Sequence, residues 1–379
     1  MWLSACKHRS EFSMTNNDRP QDIMLNGRFL TRPSTGVERV AHELWNSVTQ
    51  RLEQKPGRLK GACSIAIPNA ACGEPKTSSR ILKGRTSGQF WEQVELPFQA
   101  KNALLLNLCN LAPVTVSNQL VMIHDAQVFL TPESYSLAFR NWYRWILPQL
   151  GHRAKYVATV SEYSRQQLES FGVVPKGKAM VIPNGGDHIL RVKACDDILS
   201  KHKIQQNGYF LAIGSLSPHK NIRVLLEALA LRKNKKHPLI VAGGGNNAVF
   251  QKHFTGAHKD AKFIGRVTDQ ELKALYQNAK ALLFPSIFEG FGLPPIEAMY
   301  CGCPVVASNT AAIPETCGSA ALYRDPRDGE AWSDALDQIA GNESIRERMS
   351  INGHLRCIEY TWEASADKIA TAILPKCSH

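Results

Sequence analysis

No Cys-x-x-Cys occurs in this chain, and its ten cysteines are scattered from Cys6 to Cys377. Cys301-x-Cys303 is not a zinc spacing by itself, so neither a disulfide framework nor a zinc module is expected. Isolated thiols suit a reducing compartment, which makes a cytoplasmic location the expectation. Long apolar runs are missing too. None approaches the roughly 18 residues needed to cross a bilayer. Residues 1–20 mix Lys7, His8, Arg9, Glu11 and Asp18 without an apolar stretch, unlike a secretory signal, and read as a loose tail. Acidic residues are in deficit: 45 Lys and Arg face 33 Asp and Glu, for a formal charge of +12. Such an excess attracts phosphates, nucleic acid or an anionic membrane leaflet. With no zinc-finger spacing and no aromatic ribonucleoprotein signature, nucleic acid is not an expected partner.

What is present is a rhythm. Short apolar runs fall at 23–25, 65–67, 104–106, 120–123, 156–160 and 180–182. A second series falls at 209–213, 239–242, 262–264, 281–284 and 304–307. Helical spacing lies between many of them, as in Val37, Val40, Ala41, Leu44 and Val48, or Ile222, Leu225, Leu226 and Leu229. Continuous apolar strands alternating with amphipathic helices imply parallel sheets covered on both faces. Two series imply two doubly wound α/β domains of Rossmann-like type, expected at 21–187 and 188–360. Ligands of such sheets bind outside the carboxyl ends of the strands, so two facing sheets would make a cleft.

The richest segment for chemistry is Phe284-Pro285-Ser286-Ile287-Phe288-Glu289-Gly290-Phe291-Gly292-Leu293-Pro294-Pro295-Ile296-Glu297-Ala298-Met299. A strand ends, a glycine-containing loop follows, and a helix opens at prolines tolerated in its first turn. Free amides of Phe291, Gly292 and Leu293 at that helix start would suit a diphosphate. Glu289 and Glu297 would repel such a ligand unless they accept hydrogen bonds from its hydroxyls, which sugar and ribose provide.

This Glu-x7-Glu block, with Gly302 and Pro304-Val305-Val306-Ala307-Ser308 behind it, resembles the retaining glycosyltransferases of family 4, with the GT-B fold. Further matches follow in chain order: Ser34-Thr35-Gly36-Val37-Glu38-Arg39, Ile123-His124-Asp125, Thr159-Val160-Ser161-Glu162-Tyr163-Ser164, Val181-Ile182-Pro183-Asn184-Gly185 and Gly214-Ser215-Leu216-Ser217-Pro218-His219-Lys220-Asn221. The resemblance covers roughly residues 22–375. It implies that Glu289 binds donor-sugar hydroxyls, that Glu297 holds the ribose, and that Phe291, Gly292 and Leu293 meet the diphosphate. Lys220 would neutralise charge on the leaving diphosphate, a point-charge task suited to lysine. Arg266 and Val267 would lie by the base, Gly36 by the donor phosphates, and His124 and Asp125 beside the reacting sugar. A helix at 361–376 would cross back onto the first domain.

One position departs from the family pattern. Many relatives carry arginine where this chain has Ser215, leaving His219, Arg223 and Arg266 as candidates for a second cation. No Asp-x-Asp is present to hold a metal ion on a diphosphate, and the resemblance implies a metal-independent, front-face route without a resident cofactor. The expected partners are a nucleotide-sugar donor, UDP- or GDP-linked with GDP-mannose preferred, and a lipid-linked or saccharide acceptor in cell-envelope or exopolysaccharide assembly. Residues 133–155 combine Tyr135, Phe139, Trp142, Tyr143 and Trp145 with Arg140, Arg144 and Arg153. They read either as a core helix or as a peripheral contact with the inner face of the plasma membrane. Two other readings stand beside the transferase. One is a catalytically silent homologue that binds a nucleotide sugar or a partner transferase, supported by Ser215. The other is a dehydrogenase using Gly243-Gly244-Gly245, which lacks the rest of its phosphate fingerprint.

Overall fold

A computed structural model describes residues 22–32, 36–54, 62–71, 79–215, 217–232, 235–244 and 260–373. Seven strands form one sheet in the order β3-β2-β1-β4-β5-β6-β7. They are β1 (Asp22–Asn26), β2 (Cys63–Ile67), β3 (Arg80–Lys83), β4 (Ala103–Asn107), β5 (Gln119–Met122), β6 (Tyr156–Thr159) and β7 (Ala179–Val181). Six more form a second sheet, β10-β9-β8-β11-β12-β13. These are β8 (Phe210–Ile213), β9 (Leu239–Ala242), β10 (Ala261–Gly265), β11 (Ala281–Phe284), β12 (Val305–Ser308) and β13 (Ala321–Arg324). Every pairing in both sheets is parallel. Most of the apolar runs became central strands, while those at 180–182 and 262–264 became the edge strands β7 and β10. Strands β3 and β13 lie at the opposite edges, are half exposed and partly polar, and form no such run.

The strand order reverses beside β1 in one sheet and beside β8 in the other. At such a switch point the two neighbouring crossovers run to opposite faces and leave a crevice at the strand ends. Strands β8 and β11 flank the second crevice, and the loops leaving them carry Gly214–Lys220 and Ser286–Gly292. Helix α1 (Gly36–Glu53) buries Val40, Ala41, Leu44, Trp45 and Val48 beneath the first sheet. Further along lie α2 (Leu137–Arg153), α3 (Glu162–Ser170), α4 (Ile222–Leu231), α5 (Asp269–Asn278), α6 (Leu293–Tyr300) and α7 (Trp362–Ile373).

The chain crosses between the two sheets at two places. Helix α7 packs along α1, where Arg51 Nη2 donates to Asp367 Oδ2 at 2.9 Å. The chain also passes between sheets through Asn184-Gly185-Gly186-Asp187. A Cβ on Gly185 would lie 2.3 Å from the Trp362 nitrogen, and one on Gly186 would lie 2.5 Å from Ile296 Cγ2. Only glycine fits a strap threaded between α6 and the start of α7. Asp187 Oδ1 accepts from the Trp362 amide at 2.9 Å, so the strap caps the helix that returns to the first sheet. One apolar cluster runs from Ile23 and Leu44 through Ile182 and Trp362 to Phe284 and Ile296.

Candidate active site

Lys220 ends a short turn, Pro218–Lys220, that follows β8. Asn221 then takes a left-handed conformation (φ 52°), and its side-chain amide donates to the carbonyls of Pro285 at 3.2 Å and Pro326 at 2.6 Å. Asparagine tolerates that backbone region better than most residues. The Ile287 amide donates to the His219 carbonyl at 2.8 Å. The loops after β8 and β11 are thus cross-linked, and their charges meet: Lys220 Nζ lies 2.6 Å from Glu289 Oε1. The Lys220 stem lies over Gly214, where a Cβ would touch it at 3.4 Å.

The loop from Glu289 to Leu293 is held by its carbonyls. Gly290 O accepts from Ser161 Oγ at 2.6 Å and from Ser164 Oγ at 3.1 Å, both on the first-sheet side. Phe291 O accepts from Thr316 Oγ1 at 2.6 Å. In a trans peptide the N–H points opposite to the C=O. Clamping these carbonyls therefore turns the Phe291 and Gly292 amides the other way. Neither amide, nor that of Leu293, has a hydrogen-bond acceptor among the described residues. Gly292 adopts φ 97° to open α6, a conformation that favours glycine. The arrangement can receive an anion at the start of a helix.

Ser161 also caps α3, accepting from the Ser164 amide at 3.0 Å. The amides of Glu162 and Tyr163 at that helix start hold the Glu315 carboxylate at 2.7 and 3.0 Å. Gly290 is pressed against the first sheet's strand end: a Cβ there would lie 2.9 Å from both Asp125 Cβ and His124 O. Asp125 therefore stands beside Glu289. Burial raises its carboxyl above the ordinary value, and the Glu289 charge adds to this. His124 is buried, and its Nε2 lies 2.8 Å from the Leu108 carbonyl. Nε2 must carry the proton in that bond, which leaves Nδ1 as the only lone pair of the neutral ring. Burial lowers its pKa below the ordinary value near 6.5.

Glu297, one turn into α6, is 4% exposed. His188 Nε2 donates to its Oε1 at 3.1 Å, and the Tyr276 hydroxyl donates to its Oε2 at 3.0 Å. Burial opposes the charge, but the His188 bond, the Arg39 guanidinium and the Tyr276 bond together hold the carboxyl below the ordinary range. Arg39, on α1, makes a two-pronged bridge to Asp269 at the start of α5, at 2.8 and 2.6 Å, and ties the first sheet's leading helix to the second sheet's half.

The other expected site residues are less engaged. Ser215 is exposed, with its Oγ 2.9 Å from Ser217 Oγ. His219 is half-buried, and burial together with the Lys220 charge lowers its pKa, which disfavours it as a second cation. Arg223 pairs with Glu227 on the outer face of α4 at 2.8 Å. Arg266 is exposed just after β10, with Val267 half-buried beside it. Gly36 begins α1, while Ser34 and Thr35 lie outside the described residues, as do Leu216 and Gly245. A Cβ on Gly243 would fall 1.9 Å from Gly214 O, so strand-end packing explains this glycine without a phosphate loop.

Sequence reasoning missed His188, Tyr276, Ser161, Ser164 and Thr316 as parts of the site, and it missed a pocket. At the switch point of the first sheet a cavity of roughly 160 Å³, open to solvent, is lined by Asn26, Arg28, Arg32, Glu38, Glu92 and Tyr143 among others. Glu92 is buried and ion-paired with Arg28, and the Asn26 side-chain amide donates to its Oε1 at 2.9 Å.

The comparisons with known proteins converge on one kind of protein. The family model of glycosyl transferases group 1 matches residues 196–356, and that of glycosyltransferase family 4 matches residues 118–188. The chain is 32% identical over 261 residues to O-antigen chain mannosyltransferase B of Escherichia coli, covering 66% of this chain and 68% of that protein. It is 30% identical over 282 residues to O-antigen chain mannosyltransferase RfbU of Salmonella typhimurium, covering 74% and 77%. Its fold matches the crystal structure of Anabaena Alr3699/HepE in complex with UDP and glucose, with a TM-score of 0.73 at 18% identity, over 94% of this chain and 99% of that one.

Proposed function

The chain belongs to the family 4, group 1 glycosyltransferases of GT-B fold, in the bacterial polysaccharide-assembly group, and from that premise we propose that it is a retaining mannosyltransferase using GDP-mannose. The observation that carries the site is the Lys220–Glu289 pair beside amides at the start of α6 that have no acceptor among the described residues. In this reading the donor diphosphate lies on the amides of Phe291 to Leu293, and Lys220 meets the charge that grows as the glycosidic bond breaks. Such preorganised donors are commonly the largest single contribution to a transfer step. Glu289 accepts from sugar hydroxyls and Glu297 from the ribose. The acceptor hydroxyl attacks the anomeric carbon from the face that the nucleoside diphosphate leaves, and a departing phosphate oxygen takes its proton. No protein nucleophile or metal ion takes part.

The saccharide or lipid-linked acceptor enters from the pocket of Asn26, Arg28, Glu92 and Tyr143, which opens on the first sheet's side. Peripheral contact with an anionic membrane is part of the proposal. Its support is the exposed set Leu137, Phe139, Arg144, Trp145 and Arg153 on α2, while Ile146, Leu147 and Leu150 of the same helix are buried. No helix of the described residues is long and apolar enough to cross a membrane.

The test is incubation with radiolabelled GDP-mannose, GDP-fucose, UDP-glucose and UDP-galactose, with lipid-linked oligosaccharides as acceptors, followed by NMR of the product's anomeric configuration. Mannose transfer with retained configuration is expected. Transfer of a UDP-sugar instead would replace the donor assignment. Neither transfer nor slow donor hydrolysis would favour a silent binding protein.

A further inference from the structure

Four side chains far apart in sequence form one buried chain of hydrogen bonds behind the donor helix. Trp362 Nε1 donates to His188 Nδ1 at 3.1 Å, His188 Nε2 donates to Glu297 Oε1 at 3.1 Å, and the Tyr276 hydroxyl donates to Glu297 Oε2 at 3.0 Å. Trp362, His188 and Glu297 are each at most 4% exposed, and Tyr276 is fully buried. Indole nitrogen can only donate, so His188 Nδ1 must accept, and the ring proton must sit on Nε2, facing the carboxylate. Trp362 thus selects the tautomer, and His188 uses it to fix the carboxylate. Each Glu297 oxygen then keeps a lone-pair direction free for a ligand, while its side chain cannot rotate without breaking a buried bond.

The chain of bonds starts at a mechanically distinctive place. Trp362 is the first residue of α7, the helix that returns to pack on α1, and its amide is capped by Asp187, the neighbour of His188. The double glycine before Asp187 brings this strap within reach of both Trp362 and Ile296 of α6.

We propose that His188 is a positioning residue for the ribose-binding carboxylate, and that Trp362 sets its tautomer and so links donor affinity to the seating of the returning helix. This rests on the reading that Glu297 receives the ribose hydroxyls. Two hydroxyls on adjacent carbons demand a carboxylate of fixed plane. A carboxylate free to turn would still attract a donor's hydroxyls, but would discriminate poorly between ribose and deoxyribose.

The experiment measures, by calorimetry, the affinity of the protein for GDP and for 2′-deoxy-GDP, with UDP and 2′-deoxy-UDP as a second pair. Four proteins are compared: wild type, His188→Leu, His188→Gln and Trp362→Phe. Wild type is expected to prefer the ribonucleotide by about tenfold, the scale of one good hydrogen bond to a charged group. His188→Leu should lose most of that preference. His188→Gln, which can present an N–H to Glu297, should recover part of it, whereas a purely packing role would leave both variants alike. Trp362→Phe keeps an aromatic ring and removes the tautomer-setting donor, so it should fall between them and remains informative if His188→Leu does not fold. A wild-type protein blind to the 2′-hydroxyl would overturn the ribose reading of Glu297. A wild type that discriminates, alongside a His188→Leu variant that discriminates just as well, or a Trp362→Phe variant that does so where His188→Leu does not fold, would overturn the positioning role itself.

Discussion

Lys220 Nζ and Glu289 Oε1 meet at 2.6 Å across the switch point between β8 and β11. Each is anchored from behind, Lys220 by Asn221 on the Pro285 carbonyl and Glu289 by the clamped Gly290 peptide. The pair therefore holds both charges in place before a ligand arrives. A lysine has three N–H donors and this bond uses one, so a phosphate oxygen can be added without breaking the pair.

Lys220→Ala should lower kcat by about two to three orders of magnitude, the usual effect of removing one preorganised donor to a developing negative charge. Glu289→Gln should abolish transfer while leaving nucleotide binding largely intact. Because the two groups touch, the double variant should lose less than the sum of the single losses, with a coupling of roughly 0.5–3 kcal/mol. Initial rates at saturating donor decide this, and wild-type transfer by Glu289→Gln would remove it from the chemistry.

Gly290 makes a second kind of prediction. Ser161 and Ser164 both donate to its carbonyl, so either alone can satisfy it. Ser164→Ala should be mild, whereas Ser161→Ala also removes the α3 cap and should cost about 0.5–2 kcal/mol. The double variant leaves a buried carbonyl unpaired and should cost about 1–3 kcal/mol beyond Ser161→Ala, read in urea unfolding. Gly290→Ala should lower kcat more than stability, because its Cβ meets backbone at 2.9 Å and only a shift of the Glu289 loop can relieve that contact. A double variant that costs no more than Ser161→Ala and Ser164→Ala added together would show that the clamp is not needed.

What could be read from the sequence divides along these same residues. Glu289, Gly292 and Glu297 lie within one strand–loop–helix, where local pattern and chemistry coincide. The eleven apolar runs all fall on strands, nine of them inside the sheets, where burial on both faces imposes a continuous apolar signature. Strands β3 and β13 carry no such run, because half-exposed edge positions tolerate Arg80, Lys83 and Arg324. Ser161 and Ser164 stood in a motif whose purpose was invisible, because the carbonyl they hold lies 129 and 126 residues away. His188 and Trp362 are separated by 174 residues, and nothing in local spacing couples them.

Glu297 should leave a mark on acid stability. Its carboxyl lies below the ordinary value near 4.5 in the folded protein. A depressed carboxyl stabilises the fold above its unfolded value, and that contribution is lost as pH falls through the folded one. The unfolding midpoint should thus drop below about pH 4.5, and Glu297→Gln should show a shallower acid limb. Asp269, lowered by its bond to Arg39, contributes with the same sign, so the limb should flatten without vanishing. Glu297→Ala should also weaken nucleotide binding and strand the buried donors of His188 and Tyr276.

Trp145 and Leu137 are 54% and 66% exposed on α2, beside exposed Arg144. If that face meets lipid, Leu137→Ser with Trp145→Ser should reduce flotation with vesicles containing phosphatidylglycerol, and raised salt should weaken the remaining binding. Turnover of a soluble oligosaccharide acceptor should stay near wild type, because neither side chain lines the pocket of Arg28 and Glu92. Unchanged flotation would assign these side chains to ordinary surface.

His124 separates structure from chemistry by pH. Its buried ring is harder to protonate than an exposed one, so its folded pKa lies below 6.5. On acidification the unfolded chain takes the proton first. Stability is therefore full above about pH 6.5 and is lost as pH falls toward the folded value, at no more than ~1.4 kcal/mol per pH unit for one group. His42 and His219, also lowered by burial, add slopes of the same sign. His124→Gln can keep a donor on the Leu108 carbonyl while removing one titration, so its stability should decline less between pH 7.5 and 5.5. Should its transfer rate match wild type throughout that range, His124 serves to hold the strand end against the Gly290 loop. Should the rate collapse while the fold is retained, the free Nδ1 of His124 acts on the substrate.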